Sequence, residues 1–260
     1  MSDAGADGAA VGSAAPGPGD VALRVEIDRK VYGAGGREPV EAVRGLAFSV
    51  IAGEITCLIG PSGAGKTTTL RILLGLDPDY EGRVTPHPDA AGIAMAFQEP
   101  RLLPWRTVEQ NVRLALPRGS RGQDLDGLFE SLGLGPWRSR YPGALSLGMA
   151  RRVSLARALA QKPRILVLDE PFVSLDDTSA AALRGLVVAA VERSGMGVLM
   201  VTHNVAEAIE IADRLLLVSG RPASLLGTVP LDRPRGARDR AWIEGRRAAL
   251  AAQFPTVIAG

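Results

Sequence analysis

With 260 residues, of which 46% are hydrophobic and 22% charged, the chain has the composition of a soluble globular protein that can bury a substantial core. The formal net charge is +2 and the arginines are scattered rather than clustered, which argues against a nucleic-acid partner. No apolar run approaches the roughly 18 to 20 residues that cross a bilayer, and the single cysteine excludes an internal disulfide and fits a reducing compartment.

The beginning of the chain is predicted to be a leader followed by strands. Residues 1–20 are rich in Ala, Gly, Asp and Pro and lack the basic start and apolar block of a secretory signal, so we expect a disordered leader. Residues 21–27 alternate apolar and polar side chains, which is typical of a half-exposed strand. A glycine-rich loop at 33–36 precedes a second predicted strand at 46–51. The folded domain is therefore expected to cover residues 21–260.

A strand, a glycine loop and a helix are predicted next. The continuous apolar run Ile55–Ile59 is typical of a strand buried on both faces. Cys57 lies inside this run, so we expect a packing residue rather than a nucleophile. Residues 66–74 have the pattern of a helix, and residues 92–96 that of another buried strand.

Residues 97–162 differ from their surroundings because helical spacing replaces the strand patterns. We expect a helical subdomain inserted into an α/β core, and strands that alternate with helices predict a mostly parallel sheet covered on both faces. Its helices are predicted at 107–116, 125–132 and 146–160. The core is predicted to resume with a strand at 164–168, a helix at 179–192, a strand at 198–201, a helix at 204–212 and a last strand at 215–218, before a linker and terminal helix within 233–260.

The loop after the first buried strand carries a phosphate-binding pattern. Its sequence fits G-x-x-x-x-G-K-[ST] and lies between a predicted strand and a predicted helix, as that pattern requires. Lys66 would bridge the β- and γ-phosphates and Thr67 would offer its hydroxyl to Mg²⁺. The alternative is a glycine-rich turn that only connects the two elements. The loop consists of Gly60, Pro61, Ser62, Gly63, Ala64, Gly65, Lys66 and Thr67.

Two adjacent carboxylates, Asp169 and Glu170, follow the apolar run at 165–168. A buried strand would deliver both to one edge of the sheet, beside the phosphate loop. Asp169 could then hold Mg²⁺, and Glu170 could polarise the attacking water as a general base. The alternative is a pair of solvated loop carboxylates.

Further motifs occur in a definite order along the chain. Gln98 follows the strand predicted at 92–96, and His203 follows the strand predicted at 198–201. A histidine can donate a hydrogen bond to a phosphate oxygen. A hydroxyl and backbone N–H groups at a helix start, as Ser146 would provide, suit a phosphate. The other motif residues are Leu147, Gly148 and Met149, and then Ser174, Leu175 and Asp176.

Together these motifs resemble the ATP-binding subunits of ABC transporters over nearly the whole chain after the leader. The resemblance makes Gln98 the Q-loop residue that contacts Mg²⁺ and senses the membrane partner. It makes His203 the switch histidine that reaches the γ-phosphate. Tyr32 is the candidate for stacking on adenine, although the glycine loop after it leaves local packing as the alternative.

The resemblance also implies a fold, two cofactors and a dimer. The fold is of the α/β class, a P-loop NTPase core with a mostly parallel sheet, an N-terminal antiparallel β portion and an inserted helical subdomain. ATP and Mg²⁺ are the implied cofactors, with Thr67, Gln98 and Asp169 at the metal and Thr68 also at the nucleotide. A second ATP-binding subunit, expected to be an identical copy, would complete each site in trans. The trans residues would be Ser146, Gly148, Met149 and Asp176.

A narrower resemblance is carried by the stretches 97–105 and 107–112, with the Arg221-Pro222 step in agreement. They resemble the importers of nitrate, sulfonate, taurine and related small anions. Such a subunit works with a transmembrane permease, depends indirectly on a solute-binding protein and lies peripherally at the cytoplasmic face of the membrane. The surface at 97–105 is predicted to dock the permease, although Trp105 could equally belong to the core of the helical subdomain.

Other function classes are less well supported by the residues. An ABC protein that acts on DNA or ribosomes usually has a long coiled-coil insertion, zinc-binding cysteines or two ATPase units, and none is visible in the sequence. An inactive regulatory subunit is disfavoured because Lys66, Glu170 and His203 are all present.

The stretch 146–149 matches the signature of the family, and it departs from the family pattern at one position, because Leu147 stands where a glycine is usual. If this position needed a positive φ, leucine would cost roughly 1 to 3 kcal/mol. One interpretation is a tolerated variant with normal or modestly reduced turnover. The other is a weakened trans site that slows closure of the dimer.

Overall fold

The computed structural model describes residues 17, 19–33, 38–90 and 92–258. The predicted leader at 1–20 and the predicted glycine loop at 33–36 lie largely outside the described residues. The strands are β1 (Val21–Tyr32), β2 (Val40–Ile51), β3 (Ile55–Ile59), β4 (Glu81–Thr85), β5 (Ile93–Ala96), β6 (Ile165–Asp169), β7 (Gly197–Thr202), β8 (Arg214–Val218) and β9 (Leu225–Pro230). The helices are α1 (Lys66–Leu73), α2 (Val108–Arg113), α3 (Asp126–Ser131), α4 (Leu147–Leu159), α5 (Asp177–Ser194), α6 (Val205–Ile211), α7 (Arg240–Gln253) and α8 (Pro255–Ile258).

The central sheet has the strand order β5-β6-β7-β3-β8-β9. All neighbours pair in parallel except β9, which runs antiparallel to β8. A smaller antiparallel sheet has the order β2-β1-β4. The predicted α/β class, with a mostly parallel sheet and an N-terminal antiparallel portion, is confirmed.

The central strand β3 shows why the sheet is stable. All five of its residues are buried, because β7 and β8 flank it and both faces of the sheet are covered. Cys57 faces the core shared with α2, α4, α5 and α6, whereas Leu58 faces the core shared with α1, β1 and β2. Burial raises the pKa of the Cys57 thiol far above its ordinary value, so the thiol stays protonated. This agrees with the prediction that Cys57 is a packing residue and not a nucleophile.

Two edge strands were not predicted, and the prediction that the strand at 215–218 is the last one is wrong. In β4 only Val84 is buried, so the strand has no apolar pattern to recognise. In β9 every second residue is exposed, and a glycine and a proline interrupt the sequence. Each of these edge strands is held by pairing with one inner strand of its sheet: β4 pairs with β1, and β9 pairs with β8.

Three helices with short 3₁₀ turns occupy the stretch between β5 and β6, and no strand lies within residues 97–162, all of which are described. The first of them, α2, begins at a capping box, in which the Thr107 hydroxyl accepts from the Gln110 N–H and the Gln110 side chain accepts from the Thr107 N–H. Each helix is shorter than predicted by one to several residues at its ends.

The end of the described chain is fastened to α6 by a buried arginine. Arg238 donates hydrogen bonds to the carbonyl oxygens of Ile209 (2.8 Å), Ala212 (2.7 Å) and Leu231 (3.1 Å). The guanidinium thus satisfies carbonyls at the end of α6 that have no partner within the helix. Within the described residues, no helix is both long enough and apolar enough to cross a membrane.

Candidate nucleotide site

The carboxyl ends of four neighbouring parallel strands bring the predicted site residues to one edge of the sheet. The phosphate loop follows β3, and Gln98 follows β5. Asp169 ends β6 with Glu170 directly after it, and His203 follows β7. Ligands of open α/β sheets bind at this edge. The strand order β5-β6-β7-β3 therefore places these residues in a row, although they are far apart in the sequence.

The phosphate loop closes tightly onto the strand β2. Gly65 precedes α1 with a φ of 96°, and a Cβ there would lie 2.5 Å from the carbonyl oxygen of Ala42. Gly63 also has a positive φ, 76°. Only glycine combines the positive φ of Gly65 with so close an approach, whereas at Gly63 the positive φ alone favours glycine.

Lys66 is buried within the loop. Its Nζ donates to the carbonyl oxygens of Gly60 (2.5 Å) and Pro61 (2.9 Å). Burial lowers the pKa of Lys66, while the charges of Glu170 and Asp169 act in the opposite direction. The side chain is therefore held by the backbone of the loop with two carboxylates close by.

A cavity of about 220 Å³ opens at the loop. Among the described residues that line it, none is a carboxylate and two are cations, which suits an anionic ligand. The sequence predicts no binding role for Arg221, because no local pattern shows that the turn after β8 lies beside the loop. The lining residues are Gly63, Ala64, Gly65, Lys66, Thr67, Thr68 and Arg221.

Asp169 is a half-buried carboxylate at the end of β6. Burial raises its pKa, the charge of Glu170 adds to this effect, and the charge of Lys66 opposes it. Among the described residues, none donates a hydrogen bond to this carboxylate or forms an ion pair with it. Its free lone pairs and the hydroxyl of Thr67 are the oxygen donors that Mg²⁺ prefers, so the residues fit that ion.

Glu170 is held at the backbone and at both carboxylate oxygens. Its N–H donates to the carbonyl of Val201 at 2.8 Å, and its φ is 45°, an unusual value for a residue other than glycine. Oε2 accepts from the Thr202 hydroxyl at 3.1 Å, and Oε1 lies 2.8 Å from Nδ1 of His203. Strained backbone of this kind costs about 1 to 3 kcal/mol and concentrates at functional sites. Thr202 was missed by the sequence analysis, because only the pairing of β6 with β7 brings it to Glu170.

The signature lies at the start of α4. Ser146 is the N-cap, and its Oγ accepts from the Met149 N–H at 3.3 Å. Leu147 is the first residue of the helix and is not among the described residues with positive φ, so the backbone-strain explanation for leucine at this position is wrong. Its side chain is 43% exposed. Leucine is therefore accommodated here without strain in the single chain.

The signature and the segment 174–176 lie against each other. A Cβ at Gly148 would lie 3.1 Å from Oγ of Ser179 and 4.0 Å from Cδ2 of Leu175, so a side chain here would crowd Ser179. Asp176 caps α5 by accepting from the Ser179 N–H at 2.9 Å. Hydrogen bonds from the Ser179 side chain and from its backbone N–H lower the pKa of Asp176. Ser174 has a positive φ of 64°. The two predicted trans motifs thus belong to one surface of the molecule.

Tyr32 ends β1 in a polar cluster. Its hydroxyl donates to Asp77 at 2.7 Å, and Nζ of Lys30 lies 4.7 Å from the centre of its ring. Lys30 is buried and is paired with Asp77 at 2.6 Å. The ring is thus fixed by local contacts while the side chain stays partly exposed. Its stacking on adenine remains a prediction.

Trp105 is 67% exposed, so the alternative that it belongs to the core of the helical region is wrong. Leu102 packs against that core. The loop around them is held by Arg157, which donates to the carbonyls of Pro100 (2.8 Å) and Arg101 (2.9 Å). An exposed tryptophan on a braced loop is compatible with the predicted docking of a permease, which remains a prediction.

Comparison with known proteins agrees with this geometry. Residues 43–173 match the family model described as "ABC transporter". The aliphatic sulfonates import ATP-binding protein SsuB 2 of Burkholderia cenocepacia (strain HI2424) is 39% identical, with 84% of this chain and 82% of that protein covered. SsuB 1 of Pseudomonas aeruginosa (strain UCBPP-PA14) is 40% identical, with 84% and 91% covered. The ATP-binding cassette MJ0796, in a dimeric post-hydrolysis state bound to ADP and Pi, matches with a TM-score of 0.66 and 26% identity, over 82% of this chain and all of that one, 100%.

Proposed function

We propose, on the premise that this chain belongs to the ABC transporter family and is an ATPase, that it hydrolyses ATP to drive the import of a small anionic solute through a separate permease. The observation that carries the proposal is the row of site residues at one sheet edge. In that row, the phosphate loop follows β3, which is the neighbour of β7, the strand that leads to His203 of the Glu170–His203 pair. The cavity at this loop has no carboxylate among the described residues that line it. An anion receptor beside an oriented carboxylate is what hydrolysis of a phosphoanhydride requires.

ATP would bind with its phosphates on the loop 60–67 and on Thr68, and Tyr32 would stack on the adenine. Lys66 would leave the carbonyl oxygens of Gly60 and Pro61 and pair with the β- and γ-phosphates. Glu170 would accept the proton of the attacking water, since both its oxygens are already oriented by Thr202 and His203. Mg²⁺, when bound, would neutralise charge on the phosphates, and Thr67, Asp169 and Gln98 are the residues that would hold it.

A second subunit would complete the site. Ser146, Gly148 and Met149 stand at the exposed start of α4, and Asp176 lies on the same surface. The N-terminus of α4 would present N–H groups and the Ser146 hydroxyl to the γ-phosphate held by the partner. Two copies arranged head to tail would bury two ATP molecules, and the relative MJ0796 is a dimer.

The import function rests on the docking loop and on the relatives. The helical region 97–162 would be an inserted subdomain that turns ATP-driven closure into movement of the permease. The exposed Trp105 and its neighbours would receive a cytoplasmic segment of that permease, which would hold the subunit at the inner face of the membrane. A solute-binding protein would deliver the substrate. Because the two SsuB relatives are named as ATP-binding proteins for aliphatic sulfonates import, an alkyl sulfonate is the first solute to test.

The test uses the chain co-purified with its permease and reconstituted in vesicles. ATP hydrolysis and uptake of labelled alkyl sulfonate, taurine and nitrate are measured together. Glu170→Gln should lower ATP hydrolysis at least about 100-fold and leave ATP binding intact. Full residual activity in Glu170→Gln would refute the assignment of the base.

Docking is tested separately. The double variant Leu103→Asp, Trp105→Ala should lose co-purification with the permease. The matched control Arg193→Ala changes an exposed side chain near the end of α5, close to the amino end of β7, whereas the docking loop follows the carboxyl end of β5. This variant should assemble normally. If the double variant assembles as well as the control, the docking surface is elsewhere.

A further inference from the structure

We propose that Arg221 is a nucleotide-binding residue whose guanidinium pairs with the α- and β-phosphates, which ATP and ADP share. This inference rests on the proposed nucleotide site and adds to it a cation that the phosphate-loop motif does not contain. Arg221 lines the same cavity as residues 63–68. It comes from the turn between β8 and β9, about 155 residues after the loop.

The strand order determines which part of the nucleotide Arg221 can reach. The phosphate loop follows β3, which has β7 on one side and β8 on the other. Glu170 and His203 reach the edge on the β7 side, and Arg221 reaches it on the β8 side. The γ-phosphate must lie towards Glu170, where the water attacks. The phosphates towards Arg221 are therefore the ones that remain after hydrolysis.

The turn that carries Arg221 is held against the loop at its base. The Ala223 N–H donates to the carbonyl of Ala42 at 2.9 Å, and the Ala223 carbonyl accepts from the Arg44 N–H at 2.9 Å. A Cβ at Gly65 would lie 2.5 Å from that Ala42 carbonyl oxygen and 3.1 Å from the Cβ of Ala223. The loop, β2 and the turn thus meet at one point. Arg221 is placed by this packing two residues before the contact.

The turn is also closed by its own hydrogen bonds. The Ser219 N–H donates to the Ser224 carbonyl at 2.9 Å, and the Ser224 N–H donates to Oγ of Ser219 at 2.9 Å. Two hydroxyls, those of Ser219 and Ser224, lie 2.9 Å apart. A turn closed in this way loses little further entropy when it binds a ligand.

The charge of Arg221 is available for a ligand. By contrast, the first residue of β8, Arg214, is paired with Glu54, and Arg235 is paired with Asp213. Within the described residues, the exposed side chain of Arg221 makes no ion pair or hydrogen bond to protein. A guanidinium matches the geometry of two phosphate oxygens and binds them more tightly than a neutral donor does. An unpaired guanidinium in an acid-free cavity is therefore suited to phosphate.

The experiment measures the dissociation constants of ATP and ADP, in the presence of Mg²⁺, for the full chain and its variants. Arg221→Ala and Arg221→Gln should each raise the dissociation constants of ATP and ADP about tenfold, or 1.4 kcal/mol. For each variant, the increase for ATP and the increase for ADP should agree within about twofold. Arg221→Lys should show an intermediate loss of affinity, because a lysine keeps the positive charge but lacks the paired N–H donors of a guanidinium. Raising the salt concentration should reduce the difference in dissociation constant between the Arg221 variants and the wild type, because salt screens the charge of Arg221.

Two controls separate this inference from the proposed function. Arg193→Ala removes an exposed arginine at the end of α5, far from the loop in the fold, and should bind both nucleotides as the wild type does. Lys66→Ala should lose both nucleotides. If Lys66→Ala loses them and both Arg221 variants bind like the wild type, the Arg221 inference alone is wrong. If the Arg221 variants weaken ATP but not ADP, Arg221 does not pair with the shared phosphates. If Lys66→Ala binds normally, the phosphate site itself is wrong, and the inference fails with it.

Discussion

The carboxylate of Glu170 and the imidazole of His203 are joined by a contact of 2.8 Å between Oε1 and Nδ1. An ionised carboxylate only accepts hydrogen bonds, so the neutral imidazole must have its proton on Nδ1, which leaves Nε2 as an acceptor. While Nδ1 donates to Glu170, Nε2 can donate to a phosphate only when the ring is protonated. The pair therefore links the state of the predicted base to the ability of His203 to hold a γ-phosphate.

Thr202 completes the support of this carboxylate, and its removal should lower turnover. Its buried hydroxyl donates to Oε2 of Glu170 at 3.1 Å and accepts from the Asn204 N–H at 3.0 Å. Thr202→Val keeps the shape and removes the hydroxyl, so we expect kcat for ATP in the permease complex to fall about threefold to tenfold, or 0.7 to 1.4 kcal/mol. KM should be nearly unchanged, because no contact with the phosphates is lost. Thr202→Ser is the matched control and should retain most activity. An unchanged kcat in Thr202→Val would show that Glu170 needs no such support.

Leu147 should be nearly neutral for turnover. It occupies the first position of α4 without positive φ, so replacing it by glycine relieves no strain. We expect the ATPase rate of Leu147→Gly in the permease complex to differ from the wild type by less than twofold, about 0.4 kcal/mol. Leu147→Ala separates the loss of the side chain from the helix-weakening effect of glycine. A clear rise in both variants would mean that the leucine side chain obstructs the closed dimer.

The elements that could be predicted from the sequence are those whose environment is uniform along the chain. Ile55–Ile59 is apolar throughout because both faces of β3 are covered, and its predicted bounds agree with the structure. The strand β4 has one buried residue, Val84, and depends on its pairing with β1. A strand that is specified by its neighbour has little pattern of its own.

The same distinction applies to the candidate site. The phosphate loop and the two carboxylates are recognisable because each motif is contiguous. Thr202 and Arg221 reach the site only through the order of the strands, with β7 beside β6 and β8 beside β3. That order is a property of the folded sheet, and no local spacing in the sequence expresses it.

Asp169 should reduce the stability of the nucleotide-free protein at neutral pH. Its pKa is raised by burial above the ordinary value of 3.8. Between the unfolded and the folded pKa the folded state binds more protons, so the free energy of unfolding decreases as the pH rises through this window. Asp169→Asn cannot ionise, and we expect its Tm at pH 7 to be higher by about 2 °C or more, although ATP hydrolysis should be lost.

The pH dependence provides the check. The Tm advantage of Asp169→Asn should shrink as the pH is lowered into the range where wild-type Asp169 is protonated. Asp232→Asn, at an exposed position, is the control and should show no such advantage. A Tm for Asp169→Asn at or below that of the wild type at pH 7 would mean that the ionised carboxylate is stabilised by its surroundings.

Arg238 should be one of the most important residues for stability outside the sheet. It is 9% exposed, and its guanidinium donates to the carbonyl oxygens of Ile209, Ala212 and Leu231. Its Nε donates to the carbonyl oxygen of Arg233 at 2.8 Å. Arg238→Met keeps the length of the side chain and leaves these carbonyls without their donor, which should lower the free energy of unfolding by about 3 kcal/mol. Urea denaturation measures the change. Arg240→Met, two residues later and exposed at the start of α7, should change the same quantity by less than about 0.5 kcal/mol. If both variants show the same small decrease in the free energy of unfolding, water replaces the guanidinium at the end of α6. In that case Arg238 does not fasten the C-terminal segment there.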